Sequence, residues 1–212
     1  MTIRLYGCPQ SRSTRSVWAL EEAGVEYDYR YVNLSAGQGR QPAYLALNPA
    51  GKVPLLIDGD LTLTESFAIC SYIGDSHPDA GLVPPVGSTD RARYNRWCAF
   101  VIGELEQPLW TMAKHRFALP EKVRVPAVQA TAAWEWSKAV AVLAQGLGTR
   151  DTMVGDGFTA ADILIGHTLA WARAFKVPLE HTNVSDYADR VLGRPALARA
   201  LAREQAEAGK AS

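Results

Sequence analysis

Apolar and polar residues alternate in the first third of the chain and recur at helical spacing in most of the remainder. Ile3, Leu5 and Tyr6 make a short strand that Gly7-Cys8-Pro9-Gln10 breaks. A helix follows from about Ser11 or Ser13 to Gly24, with Val17, Leu20 and Ala23 on its dry side and Glu21 and Glu22 toward water. Gly24 is its stop. Tyr27, Tyr29 and Tyr31 alternate with Asp28 and Arg30, a second strand. After the glycine-rich loop Ser35–Arg40 comes a short helix from Pro42 to Leu47. Leu55-Leu56-Ile57 is a buried strand, Asp58-Gly59 a tight turn, and Leu61 and Leu63 give the returning strand one dry face. Thr64 is placed to cap the next helix, which carries Phe67, Ile69, Cys70 and Ile73.

Periodicity stops from His77 to Gly87, where prolines and glycines concentrate. Beyond this linker the pattern is helical. Tyr94, Trp97, Cys98, Val101, Ile102 and Leu105 share one stripe, which Pro108 interrupts. Trp136, Val140, Leu143 and Leu147 mark another helix. Thr159 and Asp162 form a capping box, which assigns them a structural role at the start of a buried helix. A final helix begins at Pro195 with Leu197 and Leu201 facing inward, and Glu204 to Ser212 reads as a frayed tail. The expected division is an α/β domain over 1–80, a linker over 81–88 and an all-helical domain over 89–212.

Composition narrows the function. Of 212 residues, 22 are lysine or arginine and 22 aspartate or glutamate, so no net field draws nucleic acid or an anionic membrane. No apolar run is long enough to span a bilayer. The three cysteines, Cys8, Cys70 and Cys98, lack metal-site spacing, so no metal is expected. Their low, odd number and the absence of a signal-like start fit a reducing, cytoplasmic setting.

The most informative stretch runs from Asn48 to Ser66. Pro54 opens a strand, so its missing N–H frees a neighbouring backbone group. Ser66 lies in a first helical turn, where free N–H groups and the helix dipole favour a carboxylate. Lys52-Val53-Pro54, a hairpin and Glu65-Ser66 together resemble the glutathione-binding half of the glutathione S-transferase family, of bacterial type. The capping box at Thr159 and Asp162 extends the resemblance to nearly the whole chain.

This resemblance implies a thioredoxin-like N-terminal domain followed by an all-α domain. It implies a transferase that conjugates glutathione, its co-substrate, to small hydrophobic electrophiles in a detoxification role. It also implies a homodimer. The backbone of Val53 would meet the cysteinyl part of glutathione, and Glu65 and Ser66 its γ-glutamyl end. Arg40 and Lys52 would meet the glycyl carboxylate, with Arg12 a weaker candidate. A thiol of ordinary pKa is mostly protonated at neutral pH, so a donor beside it raises the reactive fraction. The turn before the first helix offers Ser11, Ser13 and Cys8 for this. Ser11 comes nearer than Ser13 to the family's spacing before the helix-ending glycine, and a serine-type enzyme is expected. Either serine could instead merely cap the helix. The second substrate is expected in a cleft between the domains, with Trp110 and His115 among its candidate walls. Two other readings stand beside the transferase: a glutathione-dependent thiol reductase or isomerase, with Cys8 as nucleophile in the reductase case, and a non-catalytic interaction protein of the same fold.

Overall fold

A computed structural model describes residues 2–210. The chain divides into two compact units, Met1–Val83 with Gly193–Ser212, and Pro84–Leu192.

The first unit holds four strands, β1 (Ile3–Gly7), β2 (Tyr27–Tyr31), β3 (Leu55–Asp58) and β4 (Leu61–Thr64), in the order β2-β1-β3-β4. β1 pairs parallel with β2 and antiparallel with β3, and β3 pairs antiparallel with β4. The helices α1 (Ser13–Ala23), α2 (Pro42–Leu45) and α3 (Ser66–Ser76) alternate with them. Leu5, Leu55 and Leu56 on the strands and Val17, Leu20, Ile69 and Ile73 on the helices are fully buried. Gly24 ends α1 in the left-handed conformation, as its sequence position predicts.

Three local expectations shift here. The central residues of the hairpin are Gly59 and Asp60, and Gly59 takes the positive φ that a two-residue turn demands at its first position. β4 has no dry face, because it is the sheet's edge strand and Leu61 stays 37% exposed. Thr64 ends β4, leaving Glu65 at the N-cap of α3 with no side-chain cap bond.

The larger difference is at the other end of the chain. α9 (Pro195–Lys210) continues through the stretch expected to fray, and it packs on α1 and β2 of the first unit, where a helical domain through residue 212 was expected. Ala211 and Ser212 lie outside the described residues. Ala196, Leu197, Ala200 and Glu204 form its buried face, whereas Leu201 is exposed, one position off that stripe. Glu21 and Glu22 do not face water. They pair with α9 and the residue before it, Arg199 to Glu21 at 2.9 Å and Arg194 to Glu22 at 2.6 Å.

The second unit contains α4 (Thr89–Phe100), α5 (Glu106–Ala113), α6 (Val128–Leu147), α7 (Ala160–Ala174) and α8 (Thr182–Leu192). Pro108 does not break the helical run. A wide π turn at Val101–Leu105 precedes it, and this opening around the Glu104 carbonyl accommodates a ring that has no N–H to give. Gly146 on α6 allows close contact with α4, because a Cβ there would clash with the Trp97 ring. The capping box forms as read from the sequence. Fully buried Asp162 accepts from the N–H groups of Met153 and Thr159, both at 2.8 Å, and from the hydroxyls of Thr159 at 3.0 Å and Tyr187 at 2.6 Å.

Candidate active site

A recess in the first unit is lined by Arg12, Asn48, Ala50, Lys52, Val53, Pro54, Thr64, Glu65 and Ser66. The hairpin β3–β4 makes this possible. It returns the chain so that Thr64, Glu65 and Ser66 arrive beside the loop that ends at Pro54. Four residues singled out in the sequence for glutathione, Lys52, Pro54, Glu65 and Ser66, therefore share one wall system with Val53. The Val53–Pro54 peptide bond is cis.

α3 begins at Ser66, and its first N–H groups have no side-chain cap. Glu65 holds φ at 66°, a region that side chains other than glycine's rarely enter. Such backbone is retained where the surroundings impose it, often at a binding site. Beneath Ser66, the fully buried Arg15 donates from Nη1 to the serine Oγ at 3.3 Å. A positive charge thus stands behind the one hydroxyl at this helix start. Arg15 carried no signal in the sequence beyond its place in the first helix.

Arg40 lies at the edge of this region through a close approach of two backbones. A Cβ on Gly39 would come within 2.7 Å of the Gly51 carbonyl oxygen, and one on Gly51 would lie 3.2 Å from Arg40 Nη1. The absence of side chains at these two glycines lets the Arg40 guanidinium rest over Gly51, next to the recess residues Ala50 and Lys52.

The three donor candidates form one cluster in the turn between β1 and α1. Gln10 adopts φ 59° there and redirects the chain. Ser13 is fully buried, and its Oγ accepts from Cys8 N–H at 3.0 Å and lies 2.9 Å from Cys8 O and 3.0 Å from Glu204 Oε1. Ser11 is only partly buried. Its hydroxyl reaches Cys8 O at 2.7 Å and accepts from Ser13 N–H at 3.1 Å. Each hydroxyl has one hydrogen, so with Ser11 donating to Cys8 O, Ser13 gives its own to Glu204. Burial pushes the Cys8 thiol up, and the Glu204 carboxylate adds to this against a backbone bond from Leu34.

Glu204 is the functional-site neighbour that sequence reasoning missed. It is 1% exposed and accepts from Ser13, from Thr14 Oγ1 at 2.7 Å and from the Tyr29 hydroxyl at 3.3 Å. Burial pushes its carboxyl up to about 7, opposed by the three hydroxyl bonds. Its signal was the spacing from Ala196, Leu197 and Ala200, which puts it on the inward face of α9.

Trp110 and His115 belong to the second unit. Trp110 lies 6.4 Å from Trp171, which meets Phe175, itself stacked on Phe117. His115 Nδ1 accepts the Val125 N–H at 3.0 Å. Among the described residues, no group of histidine, cysteine and carboxylate side chains could hold a metal, and no helix is long and apolar enough to cross a membrane.

A mixed four-stranded sheet unit with an open helix start beside a cis-proline loop, followed by a helical unit, defines a thioredoxin-like protein with an appended all-α part. The family description "Glutathione S-transferase, N-terminal domain" matches residues 1–75, and "Glutathione S-transferase, C-terminal domain" matches residues 107–195. Glutathione S-transferase GstA of Escherichia coli O157:H7 is 31% identical over 205 residues, covering 95% of this chain and 98% of that one. Among solved structures, a glutathione transferase from Methylococcus capsulatus aligns with a TM-score of 0.86 at 28% identity, covering 97% of this chain and 100% of its own. A sphingomonad glutathione S-transferase complexed with glutathione aligns with a TM-score of 0.83 at 31% identity, covering 95% and 98%. The chain belongs to the glutathione S-transferase family.

Proposed function

We propose that the recess holds glutathione by three of its parts and that Ser11 assists its thiolate. The protein is a glutathione transferase with glutathione as co-substrate. The observation that carries the site reading is the uncapped start of α3, which lines the same recess as Lys52 and Val53. An anionic γ-glutamyl carboxylate satisfies the free N–H groups there and takes a hydrogen from Ser66, while Glu65 faces the α-amino group. Val53 bonds the cysteinyl segment through its backbone. Arg40 and Lys52 meet the glycyl carboxylate as two cations at the opposite end.

With the tripeptide so held, its sulfur comes to the turn before α1. Ser11 is the partly exposed hydroxyl of that turn, and swinging its hydrogen from Cys8 O to the sulfur stabilises the thiolate. Ser13 is committed to buried partners, and the raised Cys8 thiol is a poor nucleophile at neutral pH, both of which support the serine assignment. The thiolate then attacks an electrophilic carbon or an activated double bond of a small hydrophobic substrate. The chain works as a homodimer in the cytoplasm, disposing of such electrophiles. Its three cysteines, none of them in a disulfide among the described residues, fit that compartment.

Calorimetric titration with glutathione, followed by turnover of an activated aryl chloride, tests this reading. Saturable binding and conjugation are expected; binding without turnover would overturn the assigned chemistry. Sedimentation at micromolar concentration should give twice the single-chain mass of 23.1 kDa.

A further inference from the structure

Two buried side chains, Tyr44 and Asn48, meet on one backbone oxygen. The Tyr44 hydroxyl donates to Lys52 O at 2.6 Å, and Asn48 Nδ2 donates to the same atom at 2.8 Å. They are 7% and 4% exposed. A carbonyl oxygen offers two lone pairs, and these two donors use both. The Lys52–Val53 peptide bond is trans, so the Val53 N–H points away from the Lys52 carbonyl. With the carbonyl held on the side of Tyr44 and Asn48, the N–H is turned the other way. The Val53 side chain packs against Val32, Tyr44 and Leu55, while the residue also lines the recess. Among the described residues the Val53 N–H has no hydrogen-bond partner. A donor with no internal partner, on a peptide plane fixed by two outside bonds, is prepared for a ligand acceptor.

We infer that Tyr44 and Asn48 are positioning residues that lock the Lys52–Val53 peptide plane, so that the Val53 N–H is presented to the cysteinyl carbonyl of glutathione. This rests on the reading of the recess as the glutathione site. Tyr44 is not among the residues that line the recess and acts through the plane it holds, whereas Asn48 holds the same plane and also lines the recess. Burial pushes the Tyr44 phenol up to about 12, against a lowering bond with Asn48, so it remains a donor across the working pH range. Asn48 also ties its own loop, accepting the Ala50 N–H on Oδ1 at 3.1 Å. Tyr44→Phe is therefore the cleaner variant, since it removes one hydroxyl and leaves the ring in place.

Glutathione affinity of Tyr44→Phe should fall by about fivefold, the equivalent of one neutral hydrogen bond. The double variant with Asn48→Ala should lose more. KM for glutathione should rise with kcat at saturation little changed. In isotope-labelled protein, the Val53 amide proton should move downfield on adding glutathione to the wild type and move less in Tyr44→Phe. If Tyr44→Phe fails to fold, the single Asn48→Ala variant supplies the comparison through the Val53 amide shift, since Asn48 also lines the recess and its affinity change alone would not separate the two roles. Wild-type affinity and an equal Val53 shift in the variants would overturn the inference while leaving the site reading intact. An unmoved Val53 amide in glutathione-bound wild type would also overturn it. A wild type that does not bind glutathione at all would remove the site reading and this inference together.

Discussion

Two helix starts in this chain are built in opposite ways. α7 is closed: Asp162 sits buried at its third position and gathers four donors from three parts of the second unit. α3 is open: its N-cap residue Glu65 makes no side-chain cap bond, holds a positive φ, and leaves the first turn facing a recess. Both ends carry the same dipole and the same unpaired N–H groups. The difference is who supplies the acceptor. A helix start that the chain satisfies itself is a structural joint, whereas one left open beside an unpaired backbone donor leaves room for a ligand's acceptor. α1 is an intermediate case. Its first-turn hydroxyls, Ser13 and Thr14, are served by a carboxylate from residue 204, far away in sequence.

The largest effect expected from breaking this contrast is at the closed end. Asp162→Ala strands the four donors that it gathers and should destabilise the fold by about 4 kcal/mol. That corresponds to a drop of roughly 8–16 °C in the melting temperature for a chain of this size. Activity per folded molecule should survive, and a variant of normal melting temperature without activity would show that Asp162 serves the chemistry.

Next is the carboxylate under α1. Glu204 has its folded-state pKa raised from 4.5 to about 7, so the folded protein retains a proton that the unfolded chain has released. This group's contribution to stability is therefore present below pH 4.5, declines as pH rises to about 7, and is flat beyond. The decline is on the order of 3 kcal/mol, and Glu204→Gln should remove it. Denaturant titrations of both proteins across that window measure the difference; parallel curves would show that Glu204 does not titrate in the fold.

At the open end the expectation reverses, with affinity changing more than stability. Ser66→Ala removes a bond to a charged ligand group worth about 1.5–3 kcal/mol, a loss of roughly tenfold to a hundredfold in glutathione affinity. Its melting temperature should fall far less than that of Asp162→Ala, by no more than the single Arg15–Ser66 bond is worth. A stability loss at undiminished affinity would make α3 a joint like α7.

The smallest effect is at the donor. Ser11→Ala should raise the pKa of bound glutathione by about one unit, a tenfold loss of rate at neutral pH that shrinks under alkaline conditions. Thiolate absorbance of the bound complex across pH reports it directly. Cys8→Ala should leave the rate near wild type, and a glutathione mixed disulfide at Cys8 would favour the cysteine alternative instead.

The legible parts of the site are those built within one short stretch. Lys52 through Ser66 span a single hairpin, so local turn chemistry brings them together and the sequence order almost states the geometry. The capping box at Thr159 and Asp162 was legible for the same reason. What escaped depends on distant packing. Glu204 meets Ser13 across the whole chain, and a carboxylate near a terminus resembles a solvated tail unless its position on the α9 stripe outweighs its charge. Glu21 and Glu22 were misplaced because their partners come from that same segment. Tyr44 and Asn48 act on a main-chain oxygen, an interaction no spacing rule encodes. Pro108 shows the converse, a strong local signal overruled because the turn before it widens.

The return of α9 to the first unit has a consequence for how the protein is made. The sheet and its recess are encoded at the beginning of the chain, yet the helix that packs on α1 and β2 is encoded after the entire second unit. During synthesis the early residues must wait for Gly193 onward before their own fold is complete. The second unit, contiguous over Pro84–Leu192, has all its parts in hand before that point. A nascent chain that ends near residue 192 therefore has the whole sequence of the helical unit and an unfinished first unit.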